Sequence, residues 1–284
     1  MKGNVPAYTL EVPGTLDGVL SLVEEGAVPF AGGTDLMVVL EMGRLPVARY
    51  VSVLGLPELE GITVDERSVV LGANTTYREV RDNPVIQAEF KMLAQAAIES
   101  GAIAIQNRGT LGGNIMNASP AADSPPALLA YGAQVELTSK QGHRWVAYEH
   151  FHTGYKQTVK RPDEILSRIR LPRRAAGDWR ELYEKVGTRS WQAISKVCFA
   201  GLARVEHGVV REVRIGLGAV APTVVLAENT MQTMLGQRVD KALELAAARA
   251  MGSDAKPIDD IRSTAVYRGT VASNLAAAFV RALV

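Results

Sequence analysis

Asn107-Arg-Gly-Thr-Leu-Gly-Gly-Asn-Ile-Met-Asn-Ala-Ser-Pro-Ala-Ala-Asp123 is the stretch on which the fold and the function of this chain turn. Gly109, Gly112 and Gly113 lie among Thr110, Asn114, Asn117 and Ser119, with few large apolar side chains between them. Such a run makes a poor helix or strand interior. Glycines let a backbone turn through positive φ and approach a ligand closely. The pattern predicts a loop that presents N–H groups and small polar side chains to an anion. A second stretch, Ala31-Gly32-Gly33-Thr34-Asp35, has the same character. Either one alone reads equally as an ordinary tight turn. Two of them, each leading toward a helix start, predict a shared ligand bearing a pyrophosphate.

Working outward, Thr15 is placed to cap a helix that runs to about Glu25, with Leu16, Val19, Leu20 and Val23 on one face. Val28–Ala31 reads as a short buried strand, Leu36–Met42 as a helix and Arg49–Leu54 as the next strand. This is a small β-α-β unit with the glycine turn at a helix start. Ile62–Val64 and Ser68–Leu71 predict a hairpin. Thr76 and Glu79 form a capping-box signal, and one helix is expected over Val85–Glu99. Beyond the opening stretch, Ser124-Pro125 begins a helix ending near Gly132. Gln134–Ser139 and Arg144–Ala147 read as paired strands, Phe151–Thr158 as a loop or short helix, and Glu164–Leu171 as a strand. The charged Arg173–Asp178 reads as a linker. Three strands follow (Arg180–Lys185, Ser195–Glu206, Val209–Gly218), then helices over Met231–Leu235, Lys241–Met251 and Thr264–Leu283.

The 284 residues carry 31 Lys and Arg against 30 Asp and Glu, a net charge of +1. No basic excess of the kind that grips nucleic acid is present. No apolar run approaches the roughly 18 residues of a membrane span, and Met1–Tyr8 lacks the apolar core of a signal peptide. A cytoplasmic location is expected. The single cysteine, Cys198, cannot build an internal disulfide, a zinc-cysteine site or an iron–sulfur cluster. In its apolar run it reads as a packed thiol. Glu149, His150 and His152 would need further ligands to hold a metal, so a loop with two polar rings is the plainer reading. Gly216-Leu-Gly218-Ala-Val-Ala221 fits the dinucleotide fingerprint, but Pro222 follows directly and helices come after it. A strand-end turn fits that context better than a nucleotide half-domain.

Ala31-Gly-Gly-Thr-Asp-Leu36 together with Arg108-Gly-Thr-Leu-Gly-Gly-Asn-Ile115, continuing through Ala118–Asp123, resembles the two flavin loops of the FAD-binding medium subunit of the molybdenum hydroxylases. That family includes xanthine dehydrogenase and carbon monoxide dehydrogenase. Pro162–Leu166, Ile169–Pro172, Tyr183-x-Lys185-x-x-x-Arg189 and Ile261–Arg268 extend the resemblance over the whole chain. It implies an α+β fold. A two-part FAD-binding domain of the vanillyl-alcohol-oxidase type would occupy residues 1–175 (subdomains about 1–55 and 56–175). A C-terminal domain of a small antiparallel sheet with a helical bundle would occupy 176–284. By position, Phe30, Ala31, Gly32, Gly33, Thr34, Asp35 and Leu36, with Thr110, Leu111, Gly112, Gly113 and Asn114, would wrap the FAD diphosphate. Asn117 and Asp123 would bond the ribose and adenine side, Leu166 would pack in the adenine pocket, and Lys185 would lie near the isoalloxazine. Lys185 also reads plainly as a surface lysine.

The resemblance implies a subunit that takes electrons from [2Fe–2S] clusters on a small partner and passes them to an external acceptor. A large partner would hold the molybdenum cofactor and do the substrate chemistry. This chain then needs no catalytic acid, base or metal of its own. A self-sufficient flavoprotein oxidase or dehydrogenase of the same fold is the alternative. No histidine stands in the first loop, which implies noncovalent FAD, and the lone cysteine excludes the iron–sulfur insert of one branch. Where relatives commonly carry Asp-Ile-Ala, this chain has Ala193-Ile-Ser195, so an acidic residue that can sit near the flavin is missing. On this reading, Gly112→Asp or Gly113→Asp removes the flavin from a chain that stays folded.

Overall fold

Three parallel strands and two helices open the chain: β1 (Thr9–Glu11), α1 (Leu16–Glu24), β2 (Val28–Phe30), α2 (Leu36–Glu41) and β3 (Arg49–Ser52), with sheet order β1-β3-β2. The computed structural model describes residues 6–45, 47–189 and 192–284. Thr15 caps α1 as its sequence position predicts, its hydroxyl accepting the Gly18 N–H at 3.2 Å. Val19, Leu20 and Val23 bury one face against Val51, Val53, Leu56 and Leu59. The strand read as buried is instead a half-exposed edge. Pro29 has no N–H to give to a neighbour, so an edge is where β2 can sit.

The second unit is an antiparallel sheet of order β4-β5-β10-β6-β7, built from β4 (Ile62–Val64), β5 (Ser68–Gly72), β6 (Gln134–Ser139), β7 (Gly142–Ala147) and, after the small hairpin β8 (His152–Gly154) and β9 (Gln157–Thr158), β10 (Ile165–Pro172). The helices α3 (Tyr77–Asp82), α4 (Pro84–Glu89), α5 (Lys91–Glu99), α6 (Ile103–Gln106), α7 (Leu111–Asn117) and α8 (Ser124–Ala130) are inserted between β5 and β6. The capping box forms: Thr76 Oγ1 accepts the Glu79 N–H, and Glu79 Oε2 accepts the Thr76 N–H at 2.7 Å. The single helix expected over Val85–Glu99 is two, broken at Phe90 (φ −133°, ψ 52°). Phe90 turns inward to meet the Tyr131 ring edge-on at 5.1 Å, and the Met92 N–H freed by the break donates to Tyr131 Oη at 2.9 Å. A tertiary partner thus replaces the helical bond. Phe151–Thr158, read as a loop or short helix, is the β8–β9 hairpin.

The last third is an antiparallel sheet of order β11-β12-β13-β14, from β11 (Trp179–Val186), β12 (Val197–Glu206), β13 (Val209–Gly218) and β14 (Val225–Leu226). It is followed by α9 (Glu228–Met234), α10 (Lys241–Asp254) and α11 (Ala265–Arg281). These helices pack their apolar residues on the sheet, with Phe199 against Phe279 at 5.7 Å. Gly216 lies within β13, not in a nucleotide turn, and makes a close contact with α8, where a Cβ would lie 2.2 Å from the Pro126 carbonyl oxygen. The Arg173–Asp178 connection is fastened rather than free. Arg173 pairs with Glu89 at 2.7 Å. Arg174 pairs with Glu181 at 2.7 Å between the rings of Phe90, Tyr131 and Trp179.

His152 stands inside the β8 hairpin with Nε2 2.9 Å from Tyr148 Oη. Burial pushes its imidazole down to about 4 from 6.5. Between those values the unfolded chain takes up a proton that the folded chain refuses, so this group's contribution to stability falls as pH drops through the window. His152→Gln is expected to flatten the dependence. The wild type should lose about 1–3 kcal/mol more than the variant between about pH 7 and about pH 4, read from urea midpoints.

Candidate cofactor site

The two glycine stretches meet. Gly32 lies so close to the second stretch that a Cβ on it would sit 1.8 Å from the Arg108 carbonyl oxygen. Gly33 follows at φ +72°, over the Phe30 ring, and its carbonyl accepts the Met37 N–H at 2.9 Å to start α2. Among the described residues, the N–H groups of Gly32, Gly33, Thr34 and Asp35 donate to no acceptor in the chain. This loop therefore keeps its donors available, as its sequence predicts.

The second stretch differs from its expectation. It is not an open loop: Leu111–Asn117 is helical, capped by Thr110, whose hydroxyl accepts the Gly113 N–H at 3.0 Å. Leu111 N–H donates to Thr75 O at 2.8 Å, Gly112 N–H to Ala73 O at 2.9 Å and Asn114 N–H to Thr110 O at 3.0 Å. The main-chain donors of Leu111–Asn114 are spent inside the fold. Gly112 is needed for packing, since a Cβ there would lie 2.6 Å from Ala73 O. Gly113 faces outward, where a Cβ would meet only the Thr110 hydroxyl, at 2.9 Å. The expectation that Gly112→Asp spares the fold is therefore corrected; Gly113 is the position that can report on a ligand. One atom of this helix stands out. Asn114 Oδ1 is buried without a hydrogen-bond partner among the described residues, a costly arrangement unless something outside the chain meets it.

At the end of the stretch, Asp123 is enclosed. Lys185 Nζ donates to its Oδ2 at 2.7 Å and Ser195 Oγ to its Oδ1 at 2.7 Å; Tyr183 Oη donates to its carbonyl at 3.1 Å. The Lys185 side chain is 3% exposed and also reaches the Glu99 carbonyl at 2.9 Å, so the surface-lysine reading fails. Burial raises the Asp123 carboxyl above its ordinary range, while Lys185 and Ser195 pull it back. Glu99 is likewise raised by burial. The resemblance places Asp123 and Lys185 at opposite ends of a flavin, yet as one ion pair they occupy one place. Leu166 is buried in β10 opposite Leu137, within the sheet core. Asn117 sits half-buried at the end of α7. Cys198 is buried, with Sγ 3.4 Å from Tyr183 Oη, and burial pushes the thiol up, as fits a packed rather than reactive group. No group of three metal-ligating side chains occurs among the described residues. Sequence alone does not reveal Ser195 as an Asp123 partner; the one signal is that a hydroxyl stands in Ala193-Ile-Ser195 where the resemblance implies alanine.

Comparison with known proteins supplies the rest. Residues 6–174 match the family described as FAD binding domain in molybdopterin dehydrogenase. The chain belongs to that family. Residues 182–283 match the CO dehydrogenase flavoprotein C-terminal domain. The carbon monoxide dehydrogenase medium chain of Afipia carboxidovorans is 30% identical, over 89% of this chain and 88% of that one. The xanthine dehydrogenase FAD-binding subunit of Escherichia coli O157:H7 is 28% identical over the same shares. A solved structure of carbon monoxide dehydrogenase from Hydrogenophaga pseudoflava superposes with a TM-score of 0.94 at 29% identity, covering 98% of this chain and 97% of that one. FAD suits what the geometry offers: a loop with unspent N–H donors, a backbone-to-backbone approach beside it and an orphaned buried amide oxygen.

The two inner glycines should separate experimentally. Gly112→Ala is expected to lower stability by about 1–3 kcal/mol through overpacking against Ala73. Gly113→Ala should stay within about 0.5 kcal/mol, both read from chemical denaturation.

Proposed function

We propose that this chain is the FAD-carrying electron-transfer subunit of a molybdenum-containing hydroxylase. Bound FAD supplies a two-electron store between [2Fe–2S] clusters on a small partner subunit and an external acceptor. The molybdenum cofactor belongs on a large partner subunit. The observation that carries the site assignment is the contact of Gly32 with the Arg108 carbonyl, which brings the unspent donors of Gly32–Asp35 beside the Thr110–Asn114 turn. In this reading those N–H groups hold the diphosphate, with Phe30, Ala31 and Leu36 shaping the loop, and Asn114 and Asn117 offer side-chain amides. Leu111 and Gly112 seat the turn on Thr75 and Ala73. Leu166 backs the adenine pocket, and the Asp123–Lys185 pair sets the local charge. Attachment is noncovalent, because the first loop holds no histidine.

Residues 1–175 are proposed as the flavin domain and 176–284 as the C-terminal domain. The chain contributes position and electrostatics rather than an acid or base: what it must do is hold the cofactor and receive a partner. No helix among the described residues is long and apolar enough to cross a membrane. A cytoplasmic complex is proposed, in keeping with a chain whose single buried thiol needs no oxidation. The substrate of the complex lies with the large subunit.

Gly113→Asp tests the site. An acidic residue near a helix start is locally favourable, so the variant should fold with an unchanged melting temperature yet lose FAD, seen as absent flavin absorbance and at least about tenfold weaker binding to the refolded apoprotein. Retention of FAD by this variant would sink the assignment of the diphosphate. Pull-down from the native host should bring a molybdenum subunit and an iron–sulfur subunit with the wild-type chain. Substrate oxidation by the chain alone would favour a stand-alone oxidase.

A further inference from the structure

Arg268 is 3% exposed on α11, a costly place for a cation. A cation in the first turns of a helix opposes the helix dipole. A buried guanidinium also bears a desolvation penalty that one ion pair does not reliably offset. Its Nε lacks an acceptor among the described residues. Its other bonds all lead one way. Nη2 donates to Asp260 Oδ1 at 2.6 Å; Nη1 donates to Ala219 O at 2.8 Å and reaches Lys196 O at 3.3 Å.

Those two carbonyls belong to segments that end on the 107–123 stretch. Ala219 donates its N–H to Pro120 O at 2.7 Å and is held at φ +63°, a strained conformation for a residue with a Cβ. Lys196 follows Ser195, whose hydroxyl donates to Asp123 Oδ1 at 2.7 Å. One guanidinium therefore grips, from the C-terminal helix, both segments that fix Pro120 and Asp123. Its anchor is itself secured: Arg262 and Arg268 hold the Asp260 carboxyl well below the usual carboxylate range, so it stays charged.

We propose that Arg268, anchored on Asp260, is a positioning residue for the flavin site. It sets the Ser195 hydroxyl against Asp123 and so fixes how the Asp123–Lys185 pair faces the cofactor. This rests on the reading that the pair borders bound FAD. It also assigns the C-terminal helix a role in the redox properties of a cofactor held by the N-terminal two-thirds of the chain.

The test uses the full FAD-loaded chain. Arg268→Lys keeps a charge for Asp260 but loses the planar fork that spans a carboxylate and two carbonyls. It is expected to weaken FAD binding by about tenfold and to shift the flavin midpoint potential. Ser195→Ala should shift that potential in the same direction, and the double variant should add nothing to the larger single shift, because both changes break one path. A merely structural Arg268 would lower the melting temperature without moving the potential. Asp260→Asn, which leaves the guanidinium in place but loosens its anchor, repeats the measurement should Arg268→Lys fold poorly. An unchanged potential in the Arg268 and Asp260 variants, or strictly additive shifts with Ser195→Ala, overturns the inference while the wild type still binds FAD. A wild type that binds no FAD in the parallel titration overturns the functional reading and, with it, this inference.

Discussion

The contact of Gly32 with the Arg108 carbonyl oxygen is the constraint on which the site depends, because it presses main chain on main chain. A Cβ at 1.8 Å would force the two stretches apart, and no rotamer change relieves a clash between backbone atoms. The contact also crosses the boundary between the parallel three-stranded sheet and the helical layer of the second unit. Other bonds hold the same boundary: Asn74 Nδ2 donates to Val53 O at 2.5 Å in a buried position, and Ile165 from β10 lies in the first unit's core. With the boundary fixed, the free N–H groups of Gly32–Asp35 have a defined direction. A donor set built this way needs no basic cluster, and a net charge of +1 is compatible with holding a diphosphate.

A similar logic joins the last third of the chain to the rest. Gly216 admits the Pro126 carbonyl between α8 and β13, and Tyr131 Oη donates to Glu181 Oε2 at 2.6 Å. Arg174 fills the gap left by the connection. The charged run read as a linker marks a boundary in sequence, but its arginines are the groups that close the seam. Charge and a glycine announce a break in periodicity; whether that break is a tether or a bolt depends on partners far away, here Glu89 and Glu181.

Features governed by neighbours in sequence were legible. Thr15 and Thr76 cap helices as their positions imply, and alternation located most strands, because caps and pleats are local physics. The break at Phe90 was not legible, since it depends on the Tyr131 hydroxyl reaching Met92 across 39 residues. The helix at Leu111 was missed for a related reason. Glycine runs lower helix propensity, but Thr75 and Ala73 offer carbonyls that fix the first turn from outside. Sequence could flag Gly32, Gly112 and Gly113 as special without showing that Gly32 and Gly112 serve close approach and Gly113 leaves an open surface. Asp123 and Lys185 were both selected, yet their pairing across 62 residues became visible only with the fold.

That pairing also changes how the missing acidic residue at Ala193 bears on the site. Asp123 already supplies a buried carboxylate there, with each oxygen engaged by a different donor, Lys185 and Ser195. Burial favours the protonated acid; the ammonium and the hydroxyl favour the carboxylate. Glu99 already shares like-charge repulsion with Asp123, and a further carboxylate nearby would add to it and push at least one acid toward protonation. Ala193-Ile-Ser195 offers no acid at its first position and, at its third, gives Asp123 a hydroxyl donor. Both positions act in one direction: Ala193 adds no carboxylate to repel Asp123, and the Ser195 hydroxyl lowers the cost of its charge.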